Sequence, residues 1–248
     1  MYVIYMLWLR QIKRFFRAKS RIIGAVGQPL LFLLALGYGL GSVYQRAGQG
    51  NYLEFLVPGI MAQTVLFAAM FYGAMIMFDR QFGFLKETLV APVSRFKIMF
   101  GGALGGATTA VIQGFLVFVI ALFLGFHPYN WLLVPVAVLI LMLLSVGITC
   151  FSSGIGSAVQ DMQGFQAINQ FLVFPLYFLS GALYPLTHVP VWLGIIAAVN
   201  PMSYAVDAMR ATLIGQSHFG LLLDLVVLTI TVVVLGVFGT LRFRKIEA

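Results

Sequence analysis

Residues able to do acid, base or metal chemistry are few and scattered. Seven Asp and Glu, three His and one Cys are spread over 248 residues. His127, His188 and His218 stand apart, without an HExxH helix, a second histidine at ligand spacing or a cysteine cluster. They read as interfacial loop residues. Cys150 lies inside an apolar run and has no second cysteine to pair with. No acid, base and nucleophile converge, so no catalytic, metal or cofactor-binding residue is assigned and the chain is not expected to be an enzyme. Gly101-Gly102-Ala103-Leu104-Gly105-Gly106 has the glycine density of a phosphate loop, but no Lys-Ser/Thr follows and no strand precedes it. Its spacings, Gly101 with Gly105 and Gly102 with Gly106, are instead those that let helix backbones approach closely. Gly154 and Gly156 read the same way.

The elements that must position such residues are membrane helices. The chain is 61% hydrophobic and 9% charged, with a mean hydropathy of +1.01, whereas soluble domains are about 25% charged. Apolar runs of about 20 residues recur, long enough to cross a hydrocarbon core of roughly 30 Å as helices. No period-two barrel pattern runs through them. A formal charge of +8 would raise nucleic acid as a partner for a soluble chain. Here the basic residues flank apolar runs and act as topology determinants, so no nucleic acid is expected.

Six spans are expected, over about residues 22–43, 55–78, 98–126, 131–159, 165–185 and 219–241, in one all-α membrane domain covering 1–248. Within residues 1–20, Tyr2, Tyr5, Met6, Leu9, Ile12 and Phe16 form one helical stripe. Arg10, Lys13, Arg14 and Arg17, continued by Arg21, form the other. That is the pattern of a helix lying on membrane lipid with its basic face toward anionic headgroups, and it is favoured over a solvated arm. A short amphipathic helix is expected in the loop 79–97. Phe82, Leu85 and Leu89 share one face, Lys86 and Glu87 project elsewhere, and Pro92 ends it. Residues 188–217 are apolar in part but broken at Asn200-Pro201, and read as two short helices re-entering from outside. Six Lys/Arg lie in the N-terminal segment, four in 80–97 and three at the C-terminus, leaving only Arg46 and Arg210 elsewhere. Both termini are therefore expected in the cytoplasm.

Ionisable residues inside membrane helices are costly and usually functional. The cases here are Asp224, Asp79 with Arg80 at a span edge, and Asp207 with Arg210 at i and i+3. The last two can pair with each other, orienting the outer helices, with substrate contact as the other reading. Gln63, Gln113, Asn169 and Gln170, with Tyr72, Phe174 and Tyr177 near them in sequence, are the candidate lining of a translocation path. Buried amides also serve interhelical hydrogen bonds, and that reading stays open. Aromatic rings and amides suit an amphipathic organic molecule better than a bare ion.

Four segments together resemble the membrane permease subunit of the ATP-binding-cassette type-two export family, of the drug and antibiotic resistance kind. They are Phe55-Leu56-Val57-Pro58-Gly59-Ile60, the stretch from Gly83 to Arg95, the stretch from Phe178 to Pro185, and Asn200-Pro201-Met202-Ser203-Tyr204-Ala205-Val206-Asp207-Ala208-Met209-Arg210. Gln81 departs from the pattern, where an acidic residue often follows the arginine. The resemblance implies a homodimer of permeases in the plasma membrane, working with two nucleotide-binding ATPase subunits that carry ATP and magnesium; none binds to this chain. It implies that the 79–97 loop is a coupling helix seated in an ATPase groove through Phe82, Leu85, Lys86, Glu87, Leu89, Pro92 and Arg95. It also implies an outer gate of Tyr184, Asn200, Pro201, Tyr204, Asp207 and Arg210, and efflux of a drug, lipid or glycan-like molecule. The alternative, a secondary ion-coupled multidrug transporter, would need coupling ions and inverted repeats that the sequence does not display.

Overall fold

A computed structural model describes residues 2–46, 50–90 and 92–245. The side chains of Ser20, Arg21, Lys86, Glu87, Leu89 and His188 fall outside the description. Helices α1 (Tyr2–Arg17), α2 (Lys19–Phe32), α3 (Gly41–Arg46), α4 (Tyr52–Gln81), α5 (Phe84–Val90) and α6 (Arg95–Phe123) make up the first half. Helices α7 (Val134–Ala158), α8 (Met162–Phe178), α9 (Val191–Val199), α10 (Pro201–Leu213) and α11 (Leu221–Arg244) make up the second. No strand occurs among the described residues. Among the described residues four helices are long and apolar enough to cross a membrane: α4, α6, α7 with its 3-10 lead-in, and α11. Two bent pairs add up to two more: α1 with Ile22–Tyr38, at 71°, and α9 with α10, at 87°.

Proline and glycine set several boundaries. Pro29 sits inside α2, where it can donate no backbone bond. A wider π-helical stretch, Leu33–Tyr38, follows it. The first apolar run is thus α2, this stretch and α3, rather than one regular helix over 22–43. Helix α8 stops at Phe178, short of the expected 185, because Gly181 takes a φ of +74° that glycine alone adopts readily. Asn51 caps α4 and Asn200 caps α10, each side-chain oxygen accepting a backbone N–H two residues on.

Side-chain bonds identify the two ends of the bundle. Arg10 and Arg14 of α1 bridge to Asp79 near the end of α4, and Arg95 at the start of α6 donates to the Arg244 carbonyl at the end of α11. These contacts gather basic segments into one basic end. At the far end Tyr38 donates to the Leu124 carbonyl, Tyr52 to the Leu183 carbonyl, and the Tyr129 N–H to the Leu213 carbonyl. The elbow between α9 and α10 lies deep: Pro201 and Met202 sit among Leu66, Leu144 and Leu228, well inside α4, α7 and α11, and Leu176 in the last turn of α8. Helix α10 then climbs back, so that Leu213 meets the far end.

Helix α4 is the axis. Of its most apolar window 83% is buried, against 11% for α11. Gly101 and Gly105 of α6 face α1, where added Cβ atoms would lie 2.9 Å from the Ile4 Cα and 2.7 Å from the Gln11 Cβ. Gly102 and Gly106 face the opposite way, against the Tyr72 ring of α4. One glycine cluster therefore admits two neighbours at backbone range. Ser152 of α7 joins α7 to α4, donating to the Met70 carbonyl and accepting from the Gly73 N–H at 2.8 Å.

Candidate functional site: a groove along α4 with a basic mouth

On α4, Thr64, Ala68, Tyr72, Met75 and Asp79 follow one another at helical spacing and share a face. That face lines two adjoining cavities of about 220 and 80 Å³, which have Ala25, Phe67, Ala68 and Gln113 as common walls. The larger is closed by Gln11 and Phe15 of α1 and by Phe71, Tyr72 and Met75 of α4. The smaller extends toward Gln28 and Pro29 of α2, with Gln63 and Thr64 opposite. The walls are rings and methyls with a few amides, a composition that receives an apolar molecule and orients it by a few hydrogen bonds. Gln113 donates to the Thr109 carbonyl at 3.2 Å, whereas the buried Gln63 Oε1 has no hydrogen-bond partner. An unpartnered amide oxygen at a cavity wall is a ready acceptor.

One turn beyond Met75 the lining changes character. Arg10, Lys13, Arg14, Arg17 and Ala18 of α1 and its linker, with Asp79 and Phe84, enclose a third cavity of about 620 Å³. Four cations face one carboxylate. Asp79 accepts from Arg10 at 2.5 Å and from Arg14 at 3.1 Å. Both arginines remain nearly half exposed, so each bridge contributes on the order of 1 kcal/mol or less. Lys13 and Arg17 have no ion-pair partner among the described residues.

The groove brings together three of the seven residues expected to line a path, Gln63, Tyr72 and Gln113. Phe174 of α8 adjoins it edge-on through Phe67, the ring centroids 5.7 Å apart. Gln170 lies on the exposed face of α8 with Gln163, Gln166, Phe171, Phe174 and Phe178. Asn169 is partly buried, its Oδ1 unpartnered. Tyr177 lies apart from these: fully buried, it packs into the main core with its hydroxyl unpartnered, and it lines none of the three cavities.

In the 79–97 loop a short helix forms over Phe84–Val90, ahead of Pro92; Phe82, expected on its apolar face, lies outside it as the C-cap of α4, cut off by Gly83 at a φ of +78°. Leu85 is only 8% exposed and packs inward with Tyr72, Ile76, Ile98 and Met99. Among the described residues the large apolar groups left outside include Phe82, at 71%, Phe84, Val90, at 83%, and Phe96. Pro92 is exposed too. Arg95 donates to the Arg244 carbonyl at 2.7 Å. Lys86, Glu87 and Leu89 are the expected residues whose side chains lie outside the described ones.

At the far end Asp207 and Arg210 do not bridge each other. Asp207 accepts instead from the Ser217 hydroxyl and from the His218 and Phe219 N–H groups at 2.8–2.9 Å. Arg210 donates to the Gly181 and Ala182 carbonyls at 2.8 and 3.0 Å and lies 3.7 Å over the Phe55 ring. The expected i, i+3 pair loses because each charge finds closer groups outside α10, on segments the sequence spacing does not bring near. Asn200 donates to the Leu176 carbonyl, Tyr204 to the Ala198 carbonyl and Tyr184 to the Phe178 carbonyl, while Pro201 opens α10. Asn200, Asp207 and Arg210 thus hold the re-entrant pair against its neighbours, Tyr204 ties α10 to α9, and Tyr184 bonds back to the end of α8. Helical period alone missed the mouth, because Arg10 and Arg14 reach a carboxylate more than sixty positions away.

Comparison with known proteins places this arrangement among transport permeases. The profile of the ABC-2 type transporter family matches residues 2–214. The transport permease ycf38 of Cyanophora paradoxa is 33% identical, over 95% of this chain and 87% of its own. The inner membrane transport permease YadH of Escherichia coli K12 is 28% identical, over 92% and 89%. Nodulation protein J of Rhizobium leguminosarum bv. viciae is 27% identical, over 92% and 88%.

Proposed function

The chain belongs to the ABC-2 type transporter family and is a membrane permease subunit, and we propose that it exports an amphipathic organic molecule from the cytoplasm. The observation that carries this reading is the groove along α4, apolar and aromatic with a few amides, one helical turn from the basic cavity and adjoining α8 through Phe67 and Phe174. Drug, lipid and glycan-like molecules all have the mixed character such a wall accepts. The clustering of basic segments at one end supports a cytoplasmic side for that end and for both termini. The relative named as an inner membrane permease supports placement in the cell membrane.

Power comes from a separate nucleotide-binding ATPase that carries ATP and magnesium. It docks on the loop between α4 and α6 through the exposed Phe82, Phe84, Val90 and Pro92, while the inward Leu85 transmits the push to α4 and α6. The permease works as a homodimer. Helix α8 exposes Gln163, Gln166 and Gln170 beside Phe171, Phe174 and Phe178, a polar stripe that lipid would not accommodate and that a second copy would cover. The α9–α10 pair closes the outer end of the path, and the two access states alternate as the ATPases close and open. Family membership weighs against the ion-coupled alternative.

Inverted vesicles holding the permease and its ATPase should take up members of a panel of amphipathic dyes only with ATP. The F82D/V90D double variant should abolish uptake while keeping its amount in the membrane. Uptake that survives ATP depletion with the proton gradient intact would overturn the reading.

A further inference from the structure

The mouth of the groove has a composition the exporter reading does not require. A path for neutral or cationic amphiphiles needs no cluster of four cations at its entrance. Each arginine carries five N–H donors in a planar fork. The two bridges to Asp79 run from one nitrogen each of Arg10 and Arg14, leaving most of both forks for a ligand. Lys13 and Arg17 add two cations with no ion-pair partner among the described residues. The cavity, about 620 Å³, is open to solvent at the basic end of the bundle and has the volume of a small-molecule site. Arginine forks and a lysine point charge together match the several oxygens of a phosphate better than a single carboxylate.

Direction is given by what lies next to it. Gln11 and Phe15, each one residue from Arg10 and Arg14, line the apolar cavity, and on α4 Met75 is one turn from Asp79. Cations and rings therefore share two helices at adjoining heights. From Asp79 in the basic cavity to Thr64 at the end of the apolar ones, α4 rises about 22 Å at 1.5 Å per residue. Resting on the exporter reading, we infer that the cargo is a phosphate-bearing amphiphile whose head sits among Arg10, Lys13, Arg14 and Arg17 and whose tail lies along α4 past Met75, Tyr72 and Phe67. Phe84 of the loop that the ATPase moves forms part of the same cavity wall, so a push on α5 reaches the seated head directly.

The permease purified in neutral detergent and titrated with dioctanoyl phosphatidic acid, dioctanoylglycerol or inorganic phosphate, with bound ligand read by native mass spectrometry, separates head from tail. Phosphatidic acid should bind at least about tenfold more tightly than either half alone, since only it engages both parts. The K13E/R17E variant should lower its affinity to that of the glyceride, and the milder K13Q/R17Q should fall between. K97E, which removes a cation at the same end but outside the cavity, should leave it unchanged. Equal affinity for phosphatidic acid and the glyceride, or for phosphatidic acid and free phosphate, would overturn the inference, as would an equal loss in K97E. In vesicles with the ATPase, ATP-driven movement of a tail-labelled phosphatidic acid supports the cargo assignment, and binding without movement overturns it. If neutral dyes are pumped and the phosphatidic acid is not, the exporter reading stands and this inference falls. If nothing is pumped, the exporter reading itself fails.

Discussion

At the far end of the bundle Arg210 and Asp207 are more than nine-tenths buried, and each is held by hydrogen bonds to backbone groups of other segments. At the basic end Arg10 and Arg14 are nearly half exposed, share one carboxylate, and stand beside two further cations. The same residue types do different work. Buried charge whose partners are fixed backbone groups joins elements, because removing it strands those groups without water. Exposed charge in excess is weakly held and remains available to something else. The far end is therefore a clamp, and the basic end a receptor that can rearrange.

Arg210→Met breaks this comparison most directly. The Gly181 and Ala182 carbonyls lose their donor, and the stack on Phe55 goes with it. The expected cost is roughly 3 to 5 kcal/mol, read as a fall in Tm of roughly 10 °C for the detergent-solubilised protein. An unchanged Tm would mean that the far end is no clamp. Asp207→Asn is smaller. The amide keeps one acceptor oxygen but cannot hold the Ser217, His218 and Phe219 donors together, at roughly 2 to 3 kcal/mol. A Tm fall smaller than that of Arg210→Met is the outcome to check.

Leu85→Ala tests whether the receptor end owes any of its order to α5. Leu85 sits at the margin of a small cluster, so the loss should lie at the low end of the range for Leu→Ala, roughly 2 kcal/mol. The loss should also be local. Limited proteolysis should cut the 82–94 loop faster while the Tm hardly moves; a Tm fall matching that of Arg210→Met would make α5 part of the global core.

Much of this layout can be read from residue types. Apolar runs mark the long helices, Asn200-Pro201 marks the elbow, and Pro92 follows the end of α5, because each is a local property of backbone or solvation. The glycine cluster announces close packing but not that Gly101 and Gly105 serve α1 while Gly102 and Gly106 serve Tyr72. That division depends on which helices flank α6. Leu85 reads as a docking residue because amphipathicity cannot say whether an apolar face meets a partner protein or the chain's own core. Asp207 and Arg210 read as a pair for a similar reason: i, i+3 spacing is visible, and the loops that displace it are not. The groove is a property of four helices at once, and only its α4 face has a period to find.

Asp79→Asn should have the smallest effect on stability and so sharpens the contrast most. It removes the one carboxylate of the basic cavity and both of its bridges. At the far end, loss of a buried charge leaves its partners stranded, but here the freed partners are arginines that water already reaches. Asp79 itself is buried and only the arginine ends of the bridges are open to water; the expected cost is about 1 kcal/mol, and it should shrink somewhat as salt is raised, since screening reaches the exposed arginines. Binding should move the other way. Without Asp79 both forks are free and the local charge is more positive, so the variant should take up dioctanoyl phosphatidic acid more tightly, by a few-fold at low salt. Stability nearly constant with affinity raised is a combination that a purely structural role for Asp79 does not produce. A large Tm loss with unchanged affinity would make the basic end a clamp of the same kind as the far one.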